Sequence, residues 1–426
     1  MMKACCHNIA TFVTEMLLMK KSLLFFALLP VFTNFVRAQE EYGLTTKAMR
    51  IHDKVFTVDS HTDTPLNLMV KGFNVSEDNS QAFRGSKVDF ARMKKGGLDA
   101  AFFAVFISQG PRNPESNRKA EMQALRIFDS VRAVVGRYPE LAGLALTPAD
   151  GYRLEKEGKR AVFIGVENGY PVGNDIRNVK RFYDLGARYI TLCHTKNNDI
   201  CTSSTDTNNT ERGLSAFGRE VVAEMNRLGM MVDVSHISDK SFYDVLKVTR
   251  APVIASHSCS RALCDNPRNL TDDMLKALAR NGGVVQMCIL SDYVKPAPPN
   301  PARDSARNAL SEKYHGFENL TDAEWEQARA DWDKLRQTYP QPLASVADVC
   351  DHIDHIVKVA GINHVGIGTD FDGGGGVTGC LDDSQMGNIT LELVKRGYTT
   401  RQIRKIWGGN LMRVMDEVAE KASKDI

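Results

Sequence analysis

Histidines and carboxylates in this chain repeatedly stand just after short apolar runs, where a metal ion could reach them. One run leads into Asp59-Ser60-His61-Thr62-Asp63. Residues two apart in an extended chain project to the same side, so His61 and Asp63 can serve one cation. Another run ends at Gly165-Val166-Glu167-Asn168-Gly169. Others end in His194, in Ser235-His236, in Ser256-His257-Ser258 and in Gly368-Thr369-Asp370-Phe371-Asp372-Gly373. A carboxylate after an apolar run is costly to bury without a partner. Each histidine alone reads as a satisfied core residue, but their shared placement reads as a metal site. Imidazole and carboxylate donors without thiolate suit zinc, with manganese or cobalt as the other metals of that donor class.

Two cations are expected. His61, Asp63, His236 and His257 would be terminal ligands, and Glu167 can bridge. Two cations about 3.5–4 Å apart can share a hydroxide and polarise a carbonyl, an arrangement suited to hydrolysis of stable bonds. Asp370 is then free to carry a proton to the leaving group. Arg268, in Asn266-Pro267-Arg268-Asn269, reads equally as a bidentate clamp for a substrate carboxylate and as an ordinary surface charge. His52, His315, His364 and the His352/His355 pair fall away from strand ends. The pair, flanked by Asp351 and Asp354, is expected on a solvated or partly packed helix face. The Gly373–Gly376 run lacks a following Gly-Lys-Ser/Thr, which argues against a phosphate loop, and no Gly-x-Ser-x-Gly elbow is present.

The elements that must hold these groups alternate. Apolar, β-branched runs at Val55–Asp59, Ala100–Ile107, Ala161–Val166, Tyr189–Cys193, Met230–Val234, Pro252–Ala255, Gly283–Leu290 and Val365–Gly368 read as strands buried on both faces. Amphipathic helix patterns separate them. Val221, Val222, Met225 and Leu228 share a face that stops at Gly229, while Ser238 and Thr271 are placed to cap the next two helices. Eight strands alternating with helices predict an α/β fold, a (β/α)8 TIM-type barrel, whose active sites form at the C-terminal strand ends. One segment breaks the rhythm: the Pro-rich stretch from Lys295, followed by Thr321-x-x-Glu324 as a capping box. It predicts a helical insertion of about residues 295–343 between the seventh and eighth strands, within a single catalytic domain over 39–426.

Composition narrows the rest. The 426 residues are 43% hydrophobic and 25% charged, as in soluble globular chains, with 54 Lys plus Arg against 52 Asp plus Glu. That balance gives no sign of nucleic-acid binding. Beyond residue 40 no apolar stretch is long enough to span a bilayer. Before it, Lys20-Lys21, the apolar run Leu23–Val36 and Val36-Arg37-Ala38 form a signal peptide over 1–38, with the true start expected at Met19. Export to a periplasmic or extracellular space is therefore expected. Seven cysteines remain after its removal, scattered and too sparse for a disulfide scaffold.

The motifs together resemble the membrane dipeptidase (renal dipeptidase) family of zinc dipeptidases. The match runs in order through Val58–Asp63, Gly165–Gly169, Tyr189–His194, Val232–His236, Pro252–Ser258, Pro267–Asn269 and Gly368–Gly373 to Gly409-Asn410. The resemblance implies two zinc ions per chain. His61, Asp63 and bridging Glu167 would hold one, and Glu167, His236 and His257 the other. It implies His194 as the group that contacts substrate and steadies the oxyanion, Arg268 as anchor of the dipeptide carboxylate, and Asp370 as acid/base. The implied partner is a small dipeptide, in some members with a C-terminal D-residue, with a homodimer an open possibility. Three features depart from the family. Tyr170 replaces a histidine of mammalian members, the Pro-rich insert is longer, and Met287–Leu290 lacks their pocket aromatic. The charged end, Lys421–Ile426, does not carry over their lipid anchor. A related barrel hydrolase acting on N-acyl amino acids or a lactam would need the same metals. An inactive metal-binding barrel would ordinarily have lost a ligand or the acid/base, and here every position is filled.

Overall fold

Strands that are apolar on both faces need cover on both, and this chain supplies it with helices outside and side chains inside. The computed structural model describes residues 39, 41–80, 85–208, 210–314 and 322–424. The expected signal peptide, Met19, His315 and Thr321 lie outside the described residues. Among the described residues there are nine parallel strands: β1 (Val58–Thr62), β2 (Ala100–Phe106), β3 (Ala142–Leu144), β4 (Arg160–Glu167), β5 (Ala187–Thr191), β6 (Met231–Asp233), β7 (Ile254–Ser258), β8 (Val284–Met287) and β9 (Val365–Ile367). Eight of them run β1-β2-β4-β5-β6-β7-β8-β9, the (β/α)8 barrel expected. The ninth, β3, pairs with Arg160–Val162 at the start of β4, and β5 pairs with β4 only from Ile164 onward. β3, Ala-Gly-Leu, is short and holds no β-branched residue, so it does not read as a strand from sequence.

The barrel closes at its C-terminal end. Asp370 N donates to His61 O (3.0 Å) and Asp63 N to Phe371 O (2.9 Å), joining the ends of β1 and β9. Two buried aspartates staple the seams nearby. Asp59 accepts from His61 N (3.1 Å) and Thr369 N (2.8 Å), and also from the Thr369 hydroxyl. Asp233 does the same across β5, β6 and β7. It accepts from Ser235 N (3.0 Å), Ser256 N (2.8 Å), Ser256 Oγ (2.6 Å) and the Thr191 hydroxyl. β6 and β7 share a single register pair, Asp233 with Ile254, so this carboxylate replaces much of a ladder.

The opposite end is plugged. Val58, Phe102, Phe163, Tyr189, Met231, Ile254 and Val284 fill the barrel and meet Leu411, Met412, Val414, Met415 and Val418 of the helix Asn410–Lys424. The Phe102 and Phe163 rings stack at 4.8 Å. A larger apolar layer packs the outer helices on the sheet. The helix ends fall where their caps require: Ser238 accepts from Ser241 N, Thr271 from Met274 N, and Gly229 ends its helix at φ 78°. The insertion holds the helices Pro301–Lys313 and Asp322–Thr338. With one end plugged, chemistry is left to the C-terminal mouth.

Candidate metal centre

Every expected site residue is delivered to that mouth. His61 is the second-last residue of β1 and Asp63 follows it; Glu167 ends β4; His257 sits in β7. His194, His236 and Asp370 each stand three residues beyond β5, β6 and β9. β1 begins three residues later than the apolar run suggested, so His61 lies on the strand itself. The residues with positive φ other than glycine, among those described, are Asn168, His236, Asp370 and Asp372, at 61–72°. All four lie on turns at this mouth, and Asn, Asp and His are the types that tolerate that region best. Backbone held there costs about 1–3 kcal/mol per residue, a strain that clusters at functional sites.

Glu167 is the centre of the arrangement. His61 Nε2 lies 3.4 Å from one of its oxygens, Oε2. His236 Nε2 (3.1 Å), His257 Nε2 (3.5 Å) and His194 Nε2 (3.7 Å) gather on the other, Oε1. Asp63 Oδ2 is 3.9 Å from His61 Nε2. The hydrogen bonds behind the rings assign their lone pairs. Tyr189 OH donates to Ser60 O (3.2 Å) and so accepts from His61 Nδ1 (2.9 Å), leaving Nε2 bare. Ser256 Oγ donates to Asp233 and accepts from His257 Nδ1 (2.9 Å), leaving that Nε2 bare as well. Outer partners of this kind orient metal-bound imidazoles.

Electrostatics point the same way. Burial holds His236 and His257 well below the usual imidazole range and brings His194 down to about 3, with Arg268 adding to the effect. The rings are neutral, with lone pairs to give. The carboxyls shift oppositely. Burial pushes Glu167 up to about 8 and Asp370 up to about 7, and holds Asp63 well above its ordinary range, with Glu167 repelling both of the others. Positive charge among these groups would reverse all three shifts. Among the described residues, His61 Nε2 and Asp63 Oδ1 are buried with no hydrogen-bond partner. His61, Asp63 and Glu167 form one group of donor atoms within 4.8 Å of each other, and Glu167, His194 and His236 form a second. His61, His257 and Asp370 form a third such group, and the donor set fits divalent metal ions.

Residues 45–425 match the family model described as membrane dipeptidase, peptidase family M19. The chain belongs to the membrane dipeptidase family. It is thereby a metallo-dipeptidase, a hydrolase of peptide bonds. An uncharacterized dipeptidase of Schizosaccharomyces pombe is 32% identical over 378 residues, which cover 85% of this chain and 80% of that one. The crystal structure of the probable dipeptidase PvdM from Pseudomonas aeruginosa is 30% identical, with a TM-score of 0.77 over 89% of this chain and 99% of that one. A metallo peptidase from Rhodobacter sphaeroides, solved with a phosphinate mimic of the dipeptide L-Ala-D-Ala, shares the fold at 22% identity. Its TM-score is 0.68, over 85% of this chain and 99% of that one.

In this dipeptidase His194 differs from the other rings. Its side chain is 21% exposed, against 0%, 5% and 1% for His61, His236 and His257, so it faces the opening. Arg268 is only 3% exposed, which removes the surface-charge reading. Its Nη2 donates to His257 O (3.1 Å), its Nε is buried without a partner, and its guanidinium lies over the Tyr293 ring at 5.2 Å. Met287–Leu290 carries no aromatic, as expected; Tyr293 stands just past it, on the helix Ser291–Val294. Of the set-aside histidines, His52 and His352 are buried packing residues. His352, expected on a solvated or partly packed face, is buried between Ser260 N (3.1 Å) and Val294 O (2.7 Å); His52 contacts Thr390 Oγ1 and Gly96 O. The seven described cysteines are free, buried thiols.

Asp59, Asp233, Tyr189 and Ser256 escaped sequence reasoning as positioning residues. An available signal was the Asp-x-His and Asp-x-Ser spacing, in which the carboxylate takes the backbone N–H two residues on. Ser256→Ala frees His257 Nδ1 and should weaken metal binding about 10–100-fold. Competition with a chromogenic chelator measures it, with far-ultraviolet circular dichroism unchanged.

Proposed function

We propose that this chain is an exported, dinuclear zinc dipeptidase that hydrolyses free dipeptides and accepts a D-residue at their C-terminal position. The observation that carries the reading is Glu167, whose two carboxylate oxygens face two separate imidazole groups, as a bridge between two cations requires. His61 and Asp63 would complete one cation's protein ligands, and His236 and His257 the other's. Imidazole and carboxylate donors without thiolate support zinc. When bound, two such ions supply the Lewis acidity that polarises a carbonyl and makes water nucleophilic at neutral pH. Lys20-Lys21 and the apolar run behind them support export. The L-Ala-D-Ala mimic bound by the Rhodobacter peptidase supports the D-residue.

The chain's own residues do the rest. Arg268 holds the substrate's C-terminal carboxylate, with Tyr293 packed behind the guanidinium. His194, neutral and facing the opening, donates an N–H to the carbonyl oxygen as it gains charge. Asp370 accepts a proton from the attacking water on a carboxylate oxygen and passes it to the departing amine. Arg268→Met should raise KM and lower kcat/KM about 100-fold, from loss of a charge-assisted hydrogen bond. The same variant should erase the preference for free dipeptides over their C-terminal amides, as steady-state kinetics on both substrates would show.

The reading is tested with purified protein and a panel of L,L-, L,D- and N-acetylated dipeptides, with and without chelator. Chelator-sensitive release of amino acids from free dipeptides alone is expected. Cleavage of the acetylated substrates instead would make the enzyme an acylase.

A further inference from the structure

The insertion between β8 and β9 forms one side of an open groove of about 430 Å³ beside the loop that follows Asp370. Leu290, Gly374 and Gly376 lie on the barrel side, Arg303, Trp332 and Arg336 on the insertion side, and Lys87 is also in the lining. The barrel side adjoins the reacting centre. Leu290 N donates to Cys288 Sγ (3.4 Å), and that sulfur lies 4.0 Å from Asp370 Oδ2. On the other strand end, a Cβ on Gly373 would fall 2.3 Å from Asp370 Oδ1, and Gly374 is the next residue. Lys87 links groove and centre: it lines the groove and lies near enough to Asp372 and Asp370 for both carboxylates to act on its ammonium.

Among the lining side chains cations outnumber carboxylates, while Asp333 on Arg336 and Asp372 near Lys87 stand just outside. Three cations, Lys87, Arg303 and Arg336, face one carboxylate, Asp292, which already accepts from Gln341 Nε2 (3.0 Å). Burial drives the Lys87 ammonium down, although Asp372 and Asp370 pull it up, and the neighbouring Arg336 lowers it further. Lys87 donates to Gly375 O, Arg303 to Tyr339 O (2.7 Å), and Arg336 pairs with Asp333 on its own helix. A guanidinium carries five N–H donors, so both arginines keep donors for a ligand. Trp332 and Leu290 offer apolar surface for a methylene stem. Substrate pockets run from about 300 to 1,000 Å³, so the space suffices for the longest side chains.

We propose that this groove receives an acidic side chain of the substrate, so that the enzyme prefers dipeptides containing Glu or Asp to their amide counterparts. The inference rests on the dipeptidase reading above and gives the insertion a role in specificity.

The test compares kcat/KM for L-Ala-L-Glu and L-Glu-L-Ala with the matching Gln dipeptides and with L-Ala-L-Ala. It uses the wild-type enzyme and Arg336→Glu, in about 20 mM and about 0.5 M salt. Arg336 is an exposed helix residue, so the variant should fold. A Glu-over-Gln preference of about tenfold is expected for one of the two positions. It should shrink in high salt and vanish or invert in Arg336→Glu, with L-Ala-L-Ala turnover within about twofold of wild type. Equal rates on Glu and Gln dipeptides would overturn the proposal and leave the dipeptidase intact. A preference that survives both salt and Arg336→Glu would overturn it too, because the discrimination would lie elsewhere. If no dipeptide were cleaved, the dipeptidase reading would fall first and carry this proposal with it.

Discussion

Asp370→Asn should lower kcat/KM for a dipeptide by about 10²–10⁴-fold, the range a positioned acid/base contributes, while leaving two zinc ions in place. The substitution is nearly isosteric. It also keeps the backbone bonds that set the turn: Asp370 N to His61 O, and Gly373 N and Gly375 N to Asp370 O. Asn tolerates the φ of 61° at this position. What the variant loses is the carboxyl that can hold and release a proton. Asp370 also lies within reach of His61 and His257 as a group of donor atoms. Metal content therefore decides between two roles: loss of zinc along with activity would make Asp370 a ligand, and an unimpaired variant would remove it from the chemistry.

Glu167→Gln should have the second large effect, and on a different observable. One carboxylate serves both imidazole groups, so its loss should reduce bound zinc to one equivalent or fewer. A Lewis acid is worth several kcal/mol and about 1.4 kcal/mol is tenfold, so kcat/KM should fall about 10³-fold. Stability should move the other way in metal-free protein. The folded pKa of Glu167 is raised to about 8, mainly by burial, above an unfolded value near ~4.3. A raised carboxyl pKa costs stability as pH climbs through that window. Chelated wild type should therefore weaken between about pH 4 and pH 8, and chelated Glu167→Gln should be at least as stable at pH 7. Added zinc should raise the melting temperature of wild type far more than that of the variant. Differential scanning fluorimetry with and without zinc measures both.

The site was more legible than its support. His61, Glu167, His194, His236, His257 and Asp370 stand out because an apolar strand that ends in a donor is chemically odd, and a barrel sends all such ends to one mouth. Arg268 was ambiguous because a loop arginine has no pattern; only its burial under Tyr293 separates clamp from surface charge. Tyr293 was missed because it comes after the strand, on a four-residue helix. Tyr189 reads as an ordinary strand aromatic. Its role depends on Gly165, where a Cβ would lie 2.0 Å from the Tyr189 ring. That space lets the hydroxyl reach His61, and no local pattern encodes a contact between β4 and β5. β3 escaped for a similar reason, since its three residues owe their state to Arg160–Val162. His352 looked solvated from its charged neighbours, yet the chain folds Ser260 and Val294 against it.

The most direct measurement is a zinc titration of chelated enzyme, following hydrolysis of a free dipeptide against metal bound per chain by inductively coupled plasma mass spectrometry. With Glu167 as a bridge, activity should rise to a plateau at two equivalents of zinc and fall again with chelator. A plateau at one equivalent, or hydrolysis that ignores zinc altogether, would contradict the dinuclear site.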